Sequence, residues 1–136
     1  MVSGEEAAAY RDSGQIRVLV ADHNPILLEG IAVLIRSQPD MRLVGTANSA
    51  AGAVGLYRRH APEVTVLDLE LPGSTALAAV REIMSTDPTA KVIGLTTCAP
   101  LDRFAQQAFA AGVMAIVAKD RIEEMLVSMI RYRVRP

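Results

Sequence analysis

Four short polar segments each follow directly on an apolar, β-branched run. Asp22-His23-Asn24 follows IRVLVA, Asp68 follows VTVL, Thr96-Thr97 follows KVIGL, and Lys119-Asp120 follows AIVA. Two carboxylates brought together repel, and a hard dication held through oxygen relieves that repulsion. A carboxylate can also attack a phosphoryl group and form an acyl phosphate, whose oxygens an ammonium and a hydroxyl can hold. Asp22 and Asp68 supply the carboxylates, Thr96 the hydroxyl and Lys119 the ammonium. Taken singly, Asp and Thr at such places are ordinary helix caps. Their joint position is what points to a site. Of 14 basic residues only Lys91 and Lys119 are lysines, which adds weight to Lys119.

The elements that must position these residues alternate in kind. Apolar runs at Ile16–Ala21, Leu43–Ala47, Val64–Leu67, Val92–Leu95 and Met114–Val117 suit strands buried on both faces. Between them lie helical stretches. Pro25 opens one that carries Leu27, Leu28, Ile31, Leu34 and Ile35 on a stripe, and Ser49 can cap a second that runs to about His60. Thr75 starts a third with Leu77, Val80, Ile83 and Met84 inward. Pro100 and Asp102 introduce a fourth, with Phe104, Ala108 and Phe109 on one face and Gly112 as its stop. Asp120 with Glu123 suggests a capping box for a fifth, which would bury Ile122, Met125, Leu126 and Met129. Strict alternation predicts an α/β fold. Right-handed crossovers in so short a chain favour a flavodoxin-like, doubly wound five-stranded parallel sheet of order 2-1-3-4-5 with five helices. Ligands bind such sheets at the carboxyl ends of the central strands, where the four polar segments fall.

Composition removes other classes. The chain has 136 residues, enough for one domain, and a formal net charge of −1, which argues against a surface that coats nucleic acid or membrane. One cysteine, Cys98, makes no internal disulfide and fits a free thiol. His60, at a helix end, fits a capping or surface role. No apolar run approaches the roughly 20 residues that cross a bilayer, and no basic-then-apolar N-terminal signal is present. A cytoplasmic protein is expected. Residues 1–14 read as a flexible leader, 15–132 as the domain and 133–136 as the start of a linker. Arg131, Arg133 and Arg135 form either a solvated helix end or part of that linker.

The segments IRVLVADHNPILLEGIAVLI, VTVLDLELPG, KVIGLTT and AGVMAIVAKD together resemble the CheY-like receiver domain of two-component response regulators, most of all the NarL/FixJ class. The resemblance implies a phosphoryl switch. Asp68 matches the phosphoacceptor and Asp22 the first of the acidic pair that handles Mg²⁺. Glu70 matches the position whose backbone carbonyl ligates the ion, Thr96 the switching hydroxyl and Lys119 its partner lysine. A histidine kinase as partner, a homodimer as output, and DNA contact through a C-terminal helix-turn-helix domain beyond Pro136 follow from the same resemblance.

Departures carry as much information. His23 stands where the family has its second acid. Imidazole in place of carboxylate removes a charge and offers a softer nitrogen, so Mg²⁺ binding should weaken. His23 is either a softer ligand or a residue that merely occupies the place. Ile116 replaces the usual switch aromatic, and Ser74-Thr75-Ala76 replaces a loop that normally carries glycine. The expected function is the input module of an atypical transcription regulator, not an enzyme, with phosphorylation at Asp68 weakened. A receiver that responds to a ligand or dimerises without phosphate is the alternative. A small aspartyl-phosphate enzyme is a second, though no glycine-rich phosphate loop and no GxSxG elbow occur.

Overall fold

The computed structural model describes residues 14–72, 75–97 and 102–135. Most of the expected leader, loop positions Gly73 and Ser74, Cys98, Pro100 and Pro136 lie outside them. The elements run β1 (Ile16–Ala21), α1 (Pro25–Arg36), β2 (Met41–Ala47), α2 (Ala50–His60), β3 (Val64–Asp68), α3 (Thr75–Thr86), β4 (Lys91–Thr96), α4 (Asp102–Ala111), β5 (Ala115–Ala118) and α5 (Ile122–Met129). A 3₁₀ turn (Lys119–Arg121) leads into α5, and a π-helical turn (Ile130–Val134) follows it. The five parallel strands pair in the order β2-β1-β3-β4-β5, as expected.

Strand register explains the two-sided core. On β1, Val18 and Val20 face α1 and α5, while Leu19 and Ala21 face α2, α3 and α4. β3 is buried at every residue, whereas edge strand β2 is only half-buried along most of its length. Helix starts follow local chemistry. Asn24 Oδ1 accepts from the Ile26 and Leu27 amides at 3.0 and 3.3 Å, with Pro25 in the first turn; Ser49 Oγ accepts from the Gly52 amide at 3.0 Å. Gly112 stops α4 at φ +124°, and a Cβ there would lie 2.5 Å from Met84 Cγ. Only glycine meets both conditions without strain.

Three expectations need correction. Asp120 and Glu123 form no capping box: the 3₁₀ turn that follows β5 moves the start of α5 to Ile122, where no side chain caps the helix. Met125 is exposed, because the seam of α5 runs through Ile122, Leu126 and Ile130. Phe109 is exposed too, since Ala108 and Ala111 face inward from α4.

Two of the three C-terminal arginines, Arg131 and Arg135, are tied to the body of the fold. Arg131 forks onto Asp40 (2.6 and 2.8 Å), Arg135 reaches Glu63, and Val134 is buried. Arg17 of β1 donates to the His60 and Ala61 carbonyls, both at 2.6 Å, and so closes the end of α2. Ala61 there has φ +44°, a left-handed conformation that costs an L-residue roughly 1–2 kcal/mol. Ala61→Gly is therefore expected to raise stability by about 1 kcal/mol, after the glycine's own entropy is counted. Urea denaturation followed by circular dichroism will read it, and a loss of stability would refute it.

Candidate functional site

β1, β3, β4 and β5 are consecutive in the sheet, so their carboxyl ends share one edge. Ala21 pairs with Leu67 and Asp68 with Leu95. The register thus sets Asp22, Asp68 and Thr96 side by side, and all three are buried. Lys119 leaves β5 in the 3₁₀ turn and reaches back under them. Its Nζ lies 3.0 Å from Asp22 Oδ2 and 3.1 Å from Asp68 Oδ1, with a side chain 10% exposed.

The opposite side of the carboxylate pair belongs to His23. Its Nδ1 hydrogen bonds to Asp68 Oδ2 and lies 3.9 Å from Asp22 Oδ1. Backbone amides complete the set: Asn24 donates to Asp22 Oδ1 and Glu70 to Asp68 Oδ1, each at 2.8 Å. Burial pushes the Asp68 carboxyl up. Hydrogen bonds from His23, the Glu70 amide and Lys119 outweigh it and hold the group below the usual carboxylate range. Burial likewise pushes the Lys119 ammonium down, but Asp22 and Asp68 hold it above its ordinary value. Asp68 is therefore an ionised carboxylate beside a fixed cation at neutral pH.

Glu70 plays a part that sequence reasoning missed. Its side chain, not only its backbone, enters the site. Oε1 accepts from the Thr96 hydroxyl at 2.9 Å and from the Thr97 amide, and both oxygens accept from the Thr97 hydroxyl at 2.7 Å. Thr96 thus points its proton at Glu70. A lone Glu two residues after an Asp carries no sequence signal for this clamp, which depends on β3 and β4 being neighbours. A hydrogen bond to a charged group contributes about 1.5–3 kcal/mol. In Glu70→Ala, amide exchange at Thr97 should accelerate by roughly 10-fold or more; unchanged exchange would show that the clamp does not hold the strand end. Ile116 sits on β5 opposite Gly94 and packs, partly buried, against the α2–α4 side of the core.

Residues 18–131 match the response regulator receiver domain family. The chain belongs to that family. It is 34% identical to the transcriptional regulatory protein DesR of Bacillus subtilis over 85% of this chain and 57% of that protein. It is 31% identical to the uncharacterised transcriptional regulatory protein YxjL of the same organism over 89% of this chain and 55% of that protein. The receiver thus spans about half the length of these curated relatives. A LuxR-family two-component response regulator from Aurantimonas superposes with a TM-score of 0.81 at 33% identity, covering 88% of this chain and 85% of that one. These three relatives are named as transcriptional or two-component response regulators. Among the described residues no helix is long and apolar enough to cross a membrane.

Receivers of this family bind Mg²⁺ at their acidic pocket, and here Asp22, His23 and Asp68 offer ligand atoms within 4.8 Å of one another. The donor set does not fit that ion well. Mg²⁺ demands near-octahedral oxygen, and one of the three side chains offers an imidazole nitrogen instead.

Proposed function

We propose that this receiver is the input module of an atypical, cytoplasmic transcription regulator in which phosphorylation at Asp68 is possible but weakened. The observation that carries the reading is the convergence of Asp68, Asp22 and Lys119 at one sheet edge, with His23 bonded to the phosphoacceptor itself. In transfer from the phosphohistidine of a kinase, an Asp68 oxygen attacks phosphorus. The P–N bond breaks, the leaving imidazole takes up a proton, and an acyl phosphate forms. Lys119 neutralises charge on the phosphoryl oxygens, and Thr96 reaches them only by leaving Glu70.

His23 explains the weakening. Asp68 Oδ1 is engaged by Lys119 and the Glu70 amide, while Oδ2 accepts from the His23 amide at 3.4 Å and is covered by the His23 imidazole, so neither oxygen is free to attack as it stands. The ring is half-exposed and must swing away before attack. The poor fit of Mg²⁺ removes further help, and weak Mg²⁺ binding is part of the same proposal. The output is a homodimer that relays its state to a C-terminal helix-turn-helix domain, the part that would touch DNA; the receiver itself catalyses no turnover.

The test is incubation with acetyl phosphate, and separately with beryllofluoride, each with Mg²⁺. Intact mass reads the acyl phosphate, amide NMR reads the beryllofluoride complex, and light scattering reads the oligomer. A partial adduct, lost in Asp68→Asn and increased in His23→Asp, is expected. No adduct in either wild type or His23→Asp would favour a phosphate-independent dimerisation or ligand module. Catalytic turnover of a phosphoester would favour an aspartyl-phosphate enzyme.

A further inference from the structure

We propose that the Asp22–His23–Asp68 cluster is a site for a borderline divalent transition ion of the Zn²⁺ or Co²⁺ type, selected over Mg²⁺ by His23. The inference deepens the reading of the same pocket but does not require Asp68 to accept a phosphoryl group. Ion binding and acyl-phosphate formation can therefore fail separately.

The two carboxylates have two sides, and the structure divides them. Lys119 takes Asp22 Oδ2 and Asp68 Oδ1. His23 Nδ1 faces the other oxygen of each, Asp22 Oδ1 at 3.9 Å and Asp68 Oδ2 in hydrogen-bond contact. Ligands about 2.0–2.2 Å from a tetrahedral ion stand roughly 3–3.5 Å apart. The 3.9 Å spacing needs little closure, and the Asp68 contact must open to admit the ion. That opening is available because His23 is 47% exposed, so its ring can turn while the buried acids stay. The same exposure leaves a side open for water as a further ligand.

A second observation calls for a cation. Asp22 and Asp68 are both fully buried, and the one ammonium that reaches them, Lys119, sits at Asp22 Oδ2 and Asp68 Oδ1, away from the His23 side. One ammonium faces two buried carboxylates, so one negative charge remains uncompensated by lysine. Imidazole nitrogen with carboxylate oxygen suits Zn²⁺ and Co²⁺, whereas all-oxygen sites suit Mg²⁺. Many carboxylate sites bind Zn²⁺ more tightly than Mg²⁺, so the informative quantity is how His23 changes the ratio.

The experiment uses the whole chain in a Cys98→Ser, His60→Gln background, which removes its other thiol and imidazole ligands. Zn²⁺ and Mg²⁺ are titrated separately by calorimetry into this protein and into its His23→Asp and His23→Ala forms. Co²⁺ is followed by its visible d–d bands. His23→Ala is expected to weaken Zn²⁺ binding at least ~10-fold and to abolish the Co²⁺ bands. His23→Asp is expected to tighten Mg²⁺ and to lower the Zn²⁺-over-Mg²⁺ preference at least ~10-fold. Zn²⁺ binding that His23→Ala leaves unchanged, or an equal preference in wild type and His23→Asp, would overturn the proposal. Circular dichroism confirms that each variant is folded. Should His23→Ala not fold, His23→Asp and the Co²⁺ spectrum still decide.

Discussion

Lys119→Met is expected to lower stability by about 3–5 kcal/mol near pH 7, because it strands two buried carboxylates that now share one cation. The loss should also weaken the pH dependence contributed by this cluster. In the wild type the Asp68 pKa is held below its ordinary value: burial raises it, but His23, the Glu70 amide and Lys119 lower it more. Asp68 thus adds stability that is fully present above the unfolded carboxylate pKa of about 3.9 and is lost as pH falls through the lower folded value. Without the ammonium, Asp68 keeps its His23 and Glu70 hydrogen bonds but faces a second buried carboxylate with no lysine between them, so its pKa is held down less. The loss is therefore largest near neutral pH and shrinks as falling pH protonates the stranded carboxylates. Urea midpoints measured from pH 7 down to pH 4 should converge between wild type and variant. Adding Asp22→Asn to Lys119→Met should restore much of the loss at pH 7. A double variant no more stable than Lys119→Met would show that charge repulsion is not the cause.

Leu19→Ala is expected to cost about 2–5 kcal/mol, a large share of the roughly 5–15 kcal/mol that a domain of this kind possesses. Leu19 is fully buried in the middle of β1, at the place where its register with β2 shifts by one residue. Its Cδ1 reaches within 3.6 Å of where a Gly45 Cβ would stand, in a corner with Leu56. Leu56 and the buried cluster on that face of the sheet relax only partly into the space left behind. Ile26→Ala makes the contrast. Ile26 is equally apolar, but at 84% exposure its truncation should stay within about 0.5 kcal/mol. Thermal unfolding of both variants will separate them, and equal effects would mean that β1 is not the packed centre of the sheet.

Ile26 and Leu19 also show how legible this chain is. Short apolar runs and helix-start residues are local signals. Pro25 and Ser49 act within one turn of where they stand, and the strand positions followed from β-branched runs alone. The start of the fifth helix departs from its local signal for a physical reason. Asp120 and Glu123 have capping spacing, but the 3₁₀ turn after β5 displaces the helix start. Met125 and Phe109 are exposed despite lying on apolar stripes, because hydropathy does not say which of two neighbouring apolar residues faces the sheet. Helix phase does, and it is set by the partner surface.

Residue types and their order along the chain were enough to determine the alternation of elements, the strand order and the four polar strand ends. Those properties are local, or follow from chain connectivity and handedness. The resemblance to the receiver family added that His23 stands where that family has its second acid. Tertiary structure decided how the four ends are wired together. It put Lys119 on one side of the carboxylate pair and His23 on the other, and it turned Glu70 onto Thr96 and Thr97 instead. Hydrogen bonds between residues 26 to 97 positions apart depend on which strands become neighbours and in what register. No local spacing encodes which oxygen of a carboxylate meets which donor.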